Sequence, residues 1–379
     1  MKMSLKVKNI LRKLSSLSLS IRGLVTEKVK KKEKVAYLPP VVKEEDIDIV
    51  GIYYSEAALG NADAQFNLAS IYGTGRGVPQ DYKEAFKWCC LAAEQGVLAA
   101  EFTLGVMYAH GQGVEKNYQE SIKWFTKAAE KGNAEAQYNL GVAYANGLGV
   151  PQSDMEWVKW IRKSADQGDA QAQHFLGEMY REGKVVTQSD EQSVKWYRKA
   201  AEQGNAEAQF MIGIFYAEGG GVPQSDIQAV YWYLRSAKQG NSLAQYNLAV
   251  MYYEGWGEAK NYQVAFEWYH KAAEQGVAQA QFNLALMYQD GLVCQRSDKE
   301  AMKWYYEAAK QGHASAQMNL SICYAEEHDF YSSYVWVLLA KHNGYEVDLD
   351  DFPSQVDVDK TKAQETAQRY LDSDYNDCD

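Results

Sequence analysis

The chain has 379 residues, 46% of them apolar, which is enough for a continuous core, yet no apolar run approaches the ~20 residues of a membrane-spanning helix. Its net charge of −11 is uneven: residues 1–34 carry eleven of the 39 Lys and Arg and two of the 50 Asp and Glu, so this stretch stands at +9 and the remainder at −20. An acidic body argues against nucleic acid as the main ligand, because phosphate binding needs a basic surface. The cysteines, at 89, 90, 294, 323 and 378, are odd in number and follow no period, which fits a reducing, cytoplasmic compartment rather than a disulfide framework.

In chain order, residues 1–42 read as a basic arm. Val7, Ile10, Leu14, Leu17, Ile21 and Leu24 keep helical spacing, with Lys8, Arg12, Lys13 and Arg22 among them. Arg22 and the serines between Ser15 and Ser20 interrupt the apolar centre a signal peptide needs. The readings that stay open are a solvated flexible arm, an export or transit segment, and a basic helix lying on an anionic membrane through residues 1–34. Leu38-Pro39-Pro40 then stops any helix.

From residue 43 the chain keeps strict time. Stepping by 36 from Gly60 meets glycine at 96, 132, 168, 204, 240, 276 and 312; the same step from Tyr72 meets tyrosine through Tyr324, and from Trp88 tryptophan through Trp304. A fixed period of this length means stacked repeats, so residues 43–344 form one repeat domain instead of several globules. Residues 43–59 look like the second half of a repeat, and seven full units follow from Asn61 to Gly312. A shortened eighth runs to Gly344, and residues 345–379 form an acidic tail with a capping helix over Val358–Leu371.

Each unit predicts an antiparallel helix pair. Asn61 opens the first helix, with Asn133, Asp169, Asn205 and Asn241 at the same place; Asp81 opens the second, with Asn117, Ser153, Ser189, Ser225, Asn261 and Ser297. All are good N-caps, and Glu84 and its counterparts three residues on complete the pattern of a capping box. Ala64, Leu68 and Tyr72 form the packed stripe of the first helix. The residue after Leu68 is always small (Ala69, Gly105, Gly141, Gly177, Gly213, Ala249, Ala285, Ser321), so the partner helix crosses there. Trp88 and Ala92 face inward from the second helix, Lys127 and its counterparts suit the macrodipole at its end, and Gly96 stops it.

The pattern G-N-A-x-A-Q-x-x-L-G-x-x-Y-x-x-G-x-G-V followed by A-x-x-W-x-x-x-A-A-E-Q-G resembles the Sel-one-like repeat, a longer cousin of the tetratricopeptide repeat, over about residues 61–344. The resemblance implies an all-α, right-handed α-solenoid of about eight helix pairs whose first helices line a concave face that scaffolds other proteins. Val185 and Val293 depart from it, replacing the last glycine of their loops. One cysteine-rich branch of the family is associated with β-lactam binding or hydrolysis; this chain lacks its cysteine pair in each repeat, so that activity stands only as the alternative.

Motifs for a nucleophilic serine, a phosphate loop, a zinc protease or a redox dithiol are absent from the sequence, and no cofactor is expected. His328 beside Asp329 reads as a surface turn. The informative positions are those off the packed stripe. Asn67 recurs as Asn139, Asn247, Asn283 and Asn319, a ladder able to bond a peptide backbone or, equally, a neighbouring repeat. Seven residues further on, Glu182, Glu218, Glu254, Asp290 and Glu326 make the later part of the face acidic, and Trp256 stands as an exposed anchor in its loop. The expected function is a non-catalytic scaffold for a protein or peptide partner of basic character.

Overall fold

The computed structural model describes residues 47–349 and 358–375, with side chains from Val50 onward. The regularity of the sequence becomes eighteen helices and no strand among the described residues. They fall into two compact units that divide between Gln203 and Gly204. The first holds helix α1 (Ile47–Ala58) and the pairs α2 (Ala62–Thr74) with α3 (Tyr82–Glu94), α4 (Leu98–His110) with α5 (Tyr118–Glu130), α6 (Ala134–Asn146) with α7 (Asp154–Asp166), and α8 (Ala170–Glu182) with α9 (Asp190–Glu202). The second holds α10 (Ala206–Glu218) with α11 (Asp226–Lys238), α12 (Ser242–Glu254) with α13 (Tyr262–Glu274), α14 (Ala278–Asp290) with α15 (Asp298–Ala309), and α16 (Ala314–Glu326) with α17 (Phe330–His342), then α18 (Lys360–Asp372). Within each unit successive helices pack on one another, the arrangement of an all-α helix-pair solenoid.

Local chemistry sets the boundaries. The Asn61 side chain accepts the Ala64 N–H at 2.9 Å, and Asn133, Asp169, Asn205 and Asn241 do the same at their helices. Val97 and Val277 stand at this place without a side-chain cap, whereas His313 uses its ring nitrogen. The second helices are capped as expected, but the reciprocal half of the capping box is not made. The N–H of Asp81 instead donates to the Tyr72 carbonyl at 3.0 Å, and the same bond recurs from Asn117 to Tyr108 through Ser297 to Tyr288. The loop thus closes on the end of the first helix, freeing the glutamate. Glu84, Glu120 and Glu156 pair with the lysines three residues on, and Glu156 also accepts the Trp160 indole N–H at 3.0 Å.

The small residue after each core leucine is a steric requirement. A Cβ on Gly105 would sit 2.6 Å from the Phe125 ring, and one on Gly213 would sit 2.5 Å from Tyr233. Leu68, Leu104, Leu140 and Leu176 in the first unit, and Leu248, Leu284 and Leu320 in the second, are almost wholly buried behind this crossing. Trp160, Trp196, Trp232, Trp304 and Trp336 are buried, while Trp88, Trp124 and Trp268 are half-buried. Lysines of the last turn do more than face the macrodipole: Lys127, Lys163, Lys199 and Lys271 lie over the rings of Trp124, Trp160, Trp196 and Trp268, with Lys127 at 3.9 Å. Val185 and Val293 escape the strain of a left-handed residue, since neither has the positive φ of Gly113 (73°) or Gly149 (72°).

A polar tie unread in the sequence joins consecutive repeats. Gln137 is buried on α6; its amide donates to the Ala129 carbonyl of the preceding α5 at 3.0 Å, and its oxygen accepts from Gln167 at the end of α7 at 2.7 Å. One side chain therefore binds three helices. The same pair of hydrogen bonds recurs at Gln65, Gln173, Gln245, Gln281 and Gln317, the last with Asn343 in place of glutamine. In one repeat the chemistry changes on both sides together: Glu101 stands for the first glutamine and Lys131 for the second, 2.8 Å apart.

The C-terminal helix α18 packs on α17 through buried Ala363 and Ala367, and the Tyr331 hydroxyl meets Thr366 at 2.9 Å. At the shortened turn between α16 and α17, His328 is an exposed loop residue with φ 64°.

Candidate partner-binding face

The asparagines and acids singled out by the sequence lie on the first helices of their repeats, and Trp256 lies in the loop that follows one. In the first unit Asn67 is half-buried on α2, and Asn139 on α6 donates to the Glu135 carbonyl of its own helix at 2.9 Å. Glu182 ends α8 and is tied to Lys184 at 2.7 Å and to Arg181 at 3.4 Å. One turn back stands Glu178, where the other repeats carry Ile, Val or Leu, or Ser70 in the first. Burial, then the charge of Glu182, pushes its carboxyl up to about 7. Sequence reasoning passed over this residue, although a lone acid in an aliphatic column was visible.

In the second unit the asparagines are engaged within the chain. Asn283 serves the buried hydroxyls of Tyr246 and Tyr269, and Asn319 serves that of Tyr305. Tyr305 itself donates to Gln289 at 2.7 Å. Asn247 is buried against Tyr233 and eases the titration of its hydroxyl, yet neither that hydroxyl nor Asn247 Oδ1 completes a bond of ordinary length. Burial raises all four tyrosines above their usual range, Tyr246 and Tyr305 to about 12. In this unit a tyrosine stands fourteen residues before each asparagine, at 233, 269 and 305, and its buried hydroxyl oxygen gains a polar amide beside it. That spacing was present in the sequence as a signal.

Trp256 is not the exposed anchor expected. It is half-buried and packs on the cluster of Ile214, Ala217, Val230, Tyr233 and Leu248. An indole brings too much apolar area to leave in water beside an open core edge.

The acids behave differently. Glu218 is half-buried on α10, whereas Glu254, Asp290 and Glu326, which end or nearly end α12, α14 and α16, are exposed. They share a neighbourhood, as their effects on intervening groups show. Tyr253 is raised by partial burial and then by Tyr262, Asp290 and Glu254; Arg296 is raised by its bond to Asp298, and further by Glu326 and Asp290. Tyr253 and Tyr262 meet edge to face with ring centres 5.2 Å apart beside Glu254. This edge of the second unit can attract a cation and offers it aromatic rings. Among the described residues no cluster of three or more His, Cys, Asp and Glu is placed to hold a metal, and Cys89, Cys90, Cys294 and Cys323 are free thiols. No described helix is long and apolar enough to cross a membrane.

Paired helices of 36 residues, joined by a glutamine tie and closed by glycine turns, define a tetratricopeptide-like helical repeat protein, a fold typical of protein–protein interaction scaffolds. Residues 62–97, 98–133, 134–169, 170–205, 206–241, 242–277 and 278–313 each match the Sel1 repeat, and the chain belongs to that family. Among solved structures it is similar to c5321, a protective antigen present in uropathogenic Escherichia coli strains and displaying this repeat fold. The two share 34% identity over 85% of this chain and 67% of that one, with a TM-score of 0.74. A Sel1 repeat protein from Oxalobacter formigenes is 33% identical over 66% of this chain and 96% of that one, with a TM-score of 0.56. A comparison with curated proteins gives no match.

Proposed function

We propose that the protein is a non-catalytic scaffold that holds a basic protein or peptide segment on the first-helix side of its repeats, with Glu254, Asp290 and Glu326 as the principal contacts. The observation that carries this reading is the exposure of these acids at successive 36-residue steps, with the Tyr253–Tyr262 pair between two of them. Opposite charge steers such a partner in, and the rings add contact area for a lysine or arginine side chain. Glu182 and Glu218 belong to the same column but are half-buried, and Asn139, Asn283 and Asn319 serve the chain itself, so they take the lesser part.

The test is affinity capture with mass spectrometry, comparing the natural chain with one carrying Glu254→Lys and Asp290→Lys. Partners of basic character should be lost at physiological salt. An unchanged set of partners overturns the assignment of the face. Cys89, Cys90, Cys294 and Cys323 are free thiols, so the cysteine pairing of the β-lactam-associated branch lends that alternative no support.

A further inference from the structure

Among the described residues the helix α1 stands as a second helix with no first helix before it. Trp88, Ala92 and Gln95 of the next repeat stand 36 residues after Ile52, Glu56 and Leu59. In that complete repeat Ala92 is fully buried, and the Gln95 amide reaches Gln65 on α2 at 2.8 Å. In α1 the corresponding side lies open: Ile52 is 51% exposed, Leu59 89%, and Glu56 is exposed between them. The opposite side is closed, with Val50, Tyr53 and Ala57 packed on Ala64, Leu68 and Tyr72.

The identity of Leu59 is informative. At this place the later repeats carry Gln95, Lys131, Gln167, Gln203, Gln239, Gln275, Gln311 and Asn343, all polar groups able to donate to the side chain of a first helix. A leucine there has nothing to offer a buried glutamine. Whatever covers α1 is therefore apolar at this point, unlike the family's own first helix. The chain carries such a segment: Val7, Ile10, Leu14, Leu17, Ile21 and Leu24 fall three and four residues apart, flanked by Lys8, Arg12, Lys13 and Arg22. Residues 25–46, at ~3.3 Å each when extended, reach well past the ~18 Å length of α1.

We propose that the apolar stripe of residues 7–24, which lies outside the described residues, docks on the open side of α1 over Ile52 and Leu59, with its basic side chains beside Glu56. The arm is then an intramolecular cap for the first repeat. Its charge serves to position it, while burial of the leucines supplies the attraction.

The test uses the full chain with the photoreactive residue benzoylphenylalanine in place of Leu59. Irradiation of the monomer should give an intrachain cross-link that mass spectrometry maps to residues 7–24. The substitutions Leu14→Asp and Leu17→Asp should reduce it about tenfold and speed hydrogen exchange of residues 52–59 about tenfold, with the helical signal of the repeats unchanged. Cross-links that join two chains would give the face to a second copy and overturn the proposal. So would the absence of any cross-link to residues 7–24, or exchange at 52–59 that ignores the two aspartates.

Discussion

Removing the ammonium of Lys131 probes the tie between repeats at its one charged instance. Glu101 is 3% exposed and its Oε1 accepts from Lys131 at 2.8 Å, while Oε2 has no hydrogen-bond partner. Breaking a buried ion pair by deleting one member costs about 3–5 kcal/mol, because the remaining charge stays desolvated. The lysine side chain is 45% exposed, so water already screens part of the pair. Lys131→Ala should therefore cost about 2–3 kcal/mol. Glu101→Gln should cost about 1 kcal/mol or less, since its new amide can reach the Ala93 carbonyl as Gln137 reaches that of Ala129, and Lys131 can turn to solvent. The double variant Glu101→Gln/Lys131→Gln recreates the neutral tie of the other repeats and should equal or exceed the natural chain in stability. Urea unfolding followed by tryptophan fluorescence measures each variant, with hydrogen exchange of α4 reporting whether the loss is local, as repeat arrays allow. A Lys131→Ala chain as stable as the natural one, or a double variant weaker than both singles, would refute the reasoning.

Gly213→Ala should destabilise by about 1–3 kcal/mol, because its methyl would meet the Tyr233 ring at 2.5 Å and force the ring to shift; a thermal melt unshifted by the change would contradict that geometry. Glu178 supplies a pH-dependent case. Its carboxyl is raised from 4.5 to about 7, so ionising it in the fold costs stability that begins to be lost above the unfolded value and is fully lost above about 7. Glu178→Gln should accordingly stabilise the chain at pH 8 by about 1–2 kcal/mol and do little at pH 4, as urea midpoints at the two values will show. Lys163→Met should cost about 0.5–1 kcal/mol through the contact with the Trp160 ring at 4.4 Å, read as a lower urea midpoint. Purified protein should leave the chromogenic β-lactam nitrocefin intact over hours; measurable hydrolysis would reinstate the enzymatic alternative.

Much of the architecture was readable because each signal is local. Capping residues at Asn61 and Asp81, the left-handed stop at Gly96 and the small residue opposite the crossing all act within a few residues of themselves, and repetition averages away the exceptions. Where local chemistry admits two partners, sequence reasoning went astray. Glu84 has the right place for a capping box, yet the N–H it would serve is taken by the Tyr72 carbonyl, and the carboxylate turns to Lys87. Trp256 varies in its loop like a contact residue, but an adjacent core edge claims it.

The sequence by itself determined the period, the helix pairs, the polarity of the two termini and the family, since these depend on spacing along one chain. Only the tertiary structure decided which polar side chains are spent inside. Gln137 and Gln167 are thirty residues apart, and Asn283 meets Tyr269 across a repeat boundary; neither pairing follows from the propensity of any one segment. A buried amide or hydroxyl must find a partner wherever packing brings one, so the division between groups satisfied within the protein and groups left to bind others is made by the fold.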